Sequence, residues 1–230
     1  MATKDGGSFR LSATPVTIFA HLLAIAITVL VLIWTIHFQG GFAFKSNNKD
    51  KIFNIHPTLM VIGLILLGGE AIMAYKTIPA TRNRKTPKLI HLILNLIALL
   101  AGIIGIYAIF KFHKETGATD MYSLHSWFGI STISLFGLQF LLGFFSFFFP
   151  GATSSTRERL LPWHWFLGMS IFLMGIASAE IGLMDKFWIL RLQHGLQIQG
   201  QQALIMNFTG LLLLLFAVSV SLSVILPKKN

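Results

Sequence analysis

The sequence contains no cysteine, which excludes disulfides, iron–sulfur clusters, thiolate metal sites, a cysteine nucleophile and any C-x-x-C-H attachment. Charge is scarce as well. Only eight residues are Asp or Glu and 11% of the chain is charged, against 54% hydrophobic residues. With a mean hydropathy of +0.73, the 230-residue chain is too apolar for a water-soluble domain of that size. Eighteen Lys+Arg bring the formal charge to +10, yet no basic run sits on a polar domain. Nucleic acid is therefore not the partner, and the excess belongs to loops beside lipid. Lys4, Asp5 and Arg10 precede the first apolar stretch, which has no A-x-A-like cleavage site, so this stretch reads as a retained helix and not a signal peptide.

A spanning helix needs about 20 mostly apolar residues. Six segments qualify, at about 15–38, 52–78, 88–110, 122–149, 160–184 and 203–226. The expected fold is an all-α membrane protein with six transmembrane helices, a single integral-membrane domain over 1–230. The loops are too short for a soluble domain, so chemistry must lie within the bundle or at its faces. Six spans put both termini on one side. That side, with the second-to-third and fourth-to-fifth loops, carries eleven Lys+Arg, and the other side carries seven. The positive-inside rule places both termini in the cytoplasm.

Histidine is the remaining metal-ligand candidate. Four of the eight histidines, His56, His91, His125 and His164, lie near the starts of spans two to five, 35, 34 and 39 residues apart. Because successive spans run in opposite directions, His56 and His125 fall near the non-cytoplasmic face, and His91 and His164 near the cytoplasmic face. Small residues follow at helical spacing: Gly63, then Asn95, Ala98 and Gly102, then Gly129 and Thr132, then Gly168 and Gly175. They either let helices pack closely or clear volume for a flat macrocycle. Ionisable side chains at membrane depth are expensive, and one on each of four consecutive helices, paired by depth, is best explained by bis-histidine ligation of two b-type haems. Helices two to five would form a four-helix haem-binding core, with helices one and six outside. Irons roughly 5 to 10 Å inside each face of a core about 30 Å thick would be about 10 to 20 Å apart. Two other readings compete. A proton or metal transporter using the histidines would ordinarily need midplane polar residues or broken helices, whereas these span centres are apolar; a quinone-linked b-type cytochrome would keep the haems but change the reductant.

With these histidines in place, the chain resembles the cytochrome b561 family of ascorbate-dependent transmembrane electron carriers, its plant members most of all. The match is most specific at Ser123-Leu124-His125-Ser126-Trp127 and looser over 71–79, where AIMAYKTIP stands for ALLVYRVFR and Lys76 replaces a usual Arg. The resemblance implies that cytoplasmic ascorbate passes single electrons to an inner haem b, then to an outer haem b, then to monodehydroascorbate or ferric chelates. No catalytic residue beyond the haem relay is implied. It also implies a homodimer in an endomembrane such as the vacuolar membrane, or in the plasma membrane. By position, Arg84, Lys88 and Arg157 match the cytoplasmic substrate site, and Phe112, His113 and Tyr122 the non-cytoplasmic one. His113 is expected outside the helix, where its imidazole could take up a proton as well as bind substrate.

Other residues read as structural. His21 and His37 have no expected partner at matching depth, and His194 is expected in a polar loop. Glu70, near the cytoplasmic end of helix two, would need a partner such as Lys76 or a neighbouring helix, and Glu180 is expected near the outer end of helix five. The phenylalanine-rich segment 144–149 reads as lipid-facing bulk.

Overall fold

A computed structural model describes residues 12–78 and 85–227. Six helices are long and apolar enough to cross a membrane: α1 (Ala13–Phe38), α2 (Asp50–Thr77), α3 (Lys85–Thr116), α4 (Leu124–Phe148), α5 (Ser154–His194) and α6 (Gln201–Ile225). No strand occurs among the described residues. Helices are what such a sequence must form, since lipid offers no partner for an unpaired backbone amide.

The ends are set by local chemistry. Ser123 accepts a hydrogen bond from the Ser126 backbone N–H at the start of α4, and Thr153 does the same for Thr156 at the start of α5. Gly195, at φ +66°, takes the left-handed conformation that stops α5. At 41 residues, α5 is about 61 Å long, twice the hydrocarbon core. Hydropathy picks out only its lipid-buried middle, 160–184, because turns that project into water need not be apolar. α3 likewise continues to Thr116. Its last turn is tied down by ion pairs from Glu115 to Lys111 (2.9 Å) and to Lys49 (2.8 Å). α2 widens into π-type turns over Leu59–Leu66, and α1 and α4 end in such turns at Ile33–Phe38 and Phe144–Phe148.

The Ala13 N–H donates to the Pro227 carbonyl (2.9 Å) and the Lys76 ammonium to that of Leu226 (2.6 Å). The start of α1 and the ends of α2 and α6 therefore share one face, called the termini face below. The largest apolar cluster combines Ile27 of α1, Met73 of α2, Phe172 of α5 and Phe216 of α6. A second joins Leu64, Ala98 and Ile133 from α2, α3 and α4. Thus α2 to α5 surround a common interior, and α1 and α6 flank it on the α2 and α5 side. Two of the small residues serve this packing: Gly63 abuts Ala101, and a Cβ on Gly102 would stand 2.6 Å from Ile133 Cδ1.

Glu70 is partnered across helices. Both its oxygens lie within 2.9 Å of His21 Nδ1, and His21 Nε2 is 3.2 Å from Thr77 Oγ1. The expectation that His21 lacks a partner at its depth is overturned, because α1 starts on the face where α2 ends.

Candidate functional site

The helix directions bring the four histidines together in two pairs. His56 of α2 faces His125 of α4 with ring centroids 6.0 Å apart and planes at 90°; His91 of α3 faces His164 of α5 at 6.2 Å and 69°. The first pair lies toward the far face, where α2 and α4 begin, and the second toward the termini face. Depth can be read from cross-helix contacts. The carbonyl holding His91 belongs to Ala71, fifteen residues along α2 from His56. His125 and Gly143, which seats His164, are eighteen residues apart on α4. These spacings correspond to about 22 to 27 Å along the helices, longer than the 10 to 20 Å expected.

Each ring is held by a neighbouring helix. His56 Nδ1–H donates to the Gly105 carbonyl (3.1 Å), His91 Nδ1–H to Ala71 (2.8 Å) and His125 Nδ1–H to Ser178 (2.8 Å). A carbonyl can only accept, so these contacts fix the Nδ1–H tautomer and leave an Nε2 lone pair for a metal. At His164 the sense is reversed. The Gln139 amide nitrogen lies 2.9 Å from Nδ1 and 2.7 Å from the His164 carbonyl, so Nδ1 accepts and Nε2 keeps the proton. Ligation through His164 Nε2 requires the Gln139 amide to turn so that Nδ1 becomes the donor.

Glycines seat two of the rings reciprocally. A Cβ on Gly182 of α5 would meet His125 Cε1 at 2.6 Å, and one on Gly143 of α4 would meet His164 Cε1 at 2.9 Å. Spacing from the histidines on their own helices does not reveal them, because each lies on the partner helix. Of the small residues singled out in the sequence, Gly129, Thr132 and Gly175 line a cavity beside His56 and His125.

The donor sets suit a macrocycle-bound metal. Among the described residues no group of three or more His, Cys, Asp or Glu side chains gathers around one point; each histidine pair would offer two nitrogens to a metal whose other ligands come from a macrocycle. Taking about 2.0–2.1 Å for a metal–imidazole bond and about 1.1 Å from nitrogen to ring centre, two axial histidines have centroids about 6.3 Å apart. The observed 6.0 and 6.2 Å fit a metal between the rings. Three of the four rings also carry the required tautomer.

Around the far-face pair, His113 lies in the last turn of α3, not outside the helix, because α3 outlasts its apolar segment. Its Nδ1–H donates to Asp120 Oδ1 at 2.7 Å, and both residues line the cavity of His56 and His125. Phe112 packs edge-on against Phe53, with centroids 5.4 Å apart. Tyr122, just before the α4 cap, is 68% exposed. At the termini face, Lys88 lies in the first turn of α3 with its ammonium 5.8 Å from the Phe148 ring centre. Phe147 packs at 5.1 Å on His164, so the 144–149 segment is not wholly lipid-facing bulk. Arg157 is exposed in the first turn of α5, 3.5 Å from Ser154 Oγ, and Arg84 lies outside the described residues.

Several residues fall elsewhere. His37 packs on Phe38 at 4.8 Å, and His194 is the last residue of α5 instead of a loop residue. Glu180 lies well inside α5, since that helix runs on to His194. Its Oε1 is buried without a hydrogen-bond partner, and Gly210 of α6 leaves room for Oε2. Lys186, one of the seven basic residues expected in the non-cytoplasmic loops, lies inside α5, buried 4.1 Å from the Phe53 ring centre.

Residues 55–190 match the model for eukaryotic cytochrome b561. That span contains all four paired histidines. The chain is 49% identical over 217 residues to the probable ascorbate-specific transmembrane electron transporter 1 of Oryza sativa subsp. japonica, covering 94% of this chain and 92% of that protein. It is 48% identical over 217 residues to the ascorbate-specific transmembrane electron transporter 1 of Zea mays (94% and 91% covered). Identity to the transmembrane ascorbate ferrireductase 1 of Arabidopsis thaliana is 45% over 214 residues (93% and 88% covered). On a match that takes in both histidine pairs and relatives aligned over nearly their whole length, the chain belongs to the eukaryotic cytochrome b561 family.

Proposed function

We propose that this protein carries electrons from ascorbate across a membrane to monodehydroascorbate or a ferric chelate, using two haems b held by His91 and His164 and by His56 and His125. The observation that carries the reading is the presence of two histidine pairs, each at metal-bridging separation, at opposite ends of one helical core. The names of the relatives supply the donor. When bound, such haems supply one-electron redox chemistry at potentials tuned by their axial ligands.

The protein's own residues orient and select. Gly105, Ala71 and Ser178 carbonyls hold the Nδ1 protons of His56, His91 and His125 and so leave Nε2 of each ring as the atom that would hold a haem iron. Lys88 and Arg157, in the first turns of α3 and α5, supply positive charge for the ascorbate anion, and Arg84 is assigned to the same role by its match to the family's cytoplasmic site alone. His113, Phe112 and Tyr122 receive substrate at the far face. The excess of Lys+Arg beside the termini supports a cytoplasmic termini face. We further assign the protein, as a homodimer, to the vacuolar or another endomembrane.

The test is an ascorbate-reduced minus oxidised spectrum of purified protein, with haem quantified per chain by pyridine haemochromogen. Two haems b, reduced by ascorbate, are expected, and one is lost on changing any single one of the four histidines to Ala. A colourless protein would end this reading and return the histidines to a transport role.

A further inference from the structure

His113 and Asp120 form a dyad that the haem-ligand reading does not use. Asp120 follows α3 in the short loop to α4, and its Oδ1 accepts from His113 Nδ1–H at 2.7 Å. The next residue, Met121, has φ +56°, a left-handed conformation costing a bulky L-residue about 1–2 kcal/mol. Such strain persists only where the surroundings hold it. Here Met121 lines the same cavity as Asp120, His113, His56 and His125, and the left-handed turn comes between the carboxylate and the Ser123 cap of α4. A strained backbone that delivers one carboxylate to one imidazole, at the cavity of a histidine pair, points to a selected arrangement.

We infer that Asp120 is a positioning residue that fixes His113 as the proton donor for an acceptor whose reduction consumes a proton. The inference rests on the electron-transfer function proposed above. With Nδ1–H engaged by the carboxylate, Nε2 is the nitrogen that exchanges protons with solvent and acceptor. For an ascorbyl-type radical anion the step balances: the radical takes one electron delivered across the membrane, an O–H bond forms on one of its enediol oxygens, and the Nε2–H bond of doubly protonated His113 breaks. Solvent then returns the proton to Nε2. A ferric chelate takes up the electron alone and makes no use of the dyad. The Asp120–His113 pair is thus a specificity device that favours proton-coupled acceptors.

The experiment uses full-length haem-loaded protein in vesicles filled with ascorbate, with monodehydroascorbate generated outside by ascorbate oxidase, or with ferric citrate outside. Asp120→Asn is expected to lower the ratio of monodehydroascorbate to ferric citrate turnover about tenfold. The loss should appear in kcat more than in KM, and Asp120→Glu should restore most of it. A second readout does not depend on turnover. Ring ¹⁵N shifts of His113 in the reduced protein should report a single Nδ1–H tautomer in wild type and a mixture in Asp120→Asn. An unchanged turnover ratio, a parallel loss with both acceptors, or an unchanged tautomer would each overturn the inference. Failure of wild type to pass any ascorbate electron would remove the proposed function instead, and with it the proton-coupled role, while the tautomer would still decide whether Asp120 positions the ring.

Discussion

Replacing Gly182 by alanine tests the reciprocal seating of the histidines most sharply. The new Cβ would stand 2.6 Å from His125 Cε1 and 2.8 Å from Nδ1, where ordinary carbon contacts are about 3.5–4.0 Å. The ring must therefore retreat by about 1 Å. It cannot do so freely, because its Nδ1–H bond to the Ser178 carbonyl, on the same helix as Gly182, is 2.8 Å and a retreat of that size stretches it beyond hydrogen-bonding range. Overpacking costs about 1–3 kcal/mol and the lost hydrogen bond about 1 kcal/mol. A total of about 2–4 kcal/mol weakens far-face haem binding by about 30- to 1,000-fold. The assay is haem per chain combined with a redox titration. The count should fall from two toward one, with the surviving haem titrating at its wild-type potential. Gly137→Ala is the control, since the nearest atom to its Cβ would be Leu99 Cδ1 at an ordinary 3.8 Å. Gly143→Ala should affect the other haem, less severely, because its closest approach to His164 is 2.9 Å. Gly182→Ala protein that keeps two haems at unaltered potentials refutes the reasoning.

Further expectations concern the termini face and the ligand tautomers. Lys88→Ala combined with Arg157→Ala should raise the KM for ascorbate at least about tenfold while leaving both haems bound, since two charge-assisted contacts are removed; stopped-flow reduction at low ascorbate reads this, and unchanged kinetics would remove both residues from the substrate site. Gln139→Glu places an acceptor beside His164 Nδ1 and makes that nitrogen the donor, so the midpoint potential of the termini-face haem alone should fall; a redox titration in which neither haem moves contradicts the proposed reversal at His164. Glu70→Gln removes the charged partner of His21 across α1 and α2. A loss of about 1 kcal/mol predicts a Tm lower by about 2–4 °C with haem content intact, measured by thermal unfolding in detergent.

The six spans, their directions and the two histidine pairs were legible in the sequence, for a physical reason. Lipid forces every span to be helical and about as long as the membrane is thick, so composition alone carries the topology, and topology alone sorts His56 with His125 and His91 with His164. What projects beyond lipid lies outside that constraint. The ends of α3 and α5 were missed because water tolerates polar helix, and with them the helical placement of His113 and His194. Contacts between helices were also beyond the sequence. Nothing along α4 marks Gly182 as the seat of His125, nothing near His91 marks Ala71 as its acceptor, and nothing in α1 joins His21 to Glu70, because these partners lie tens of residues away and meet only when antiparallel helices settle at one rotation and depth. The sequence by itself determined that this is a six-helix membrane protein with histidines paired at two depths. Only the tertiary structure decided how each ring is held, which glycines make room for it, and that a carboxylate stands behind His113.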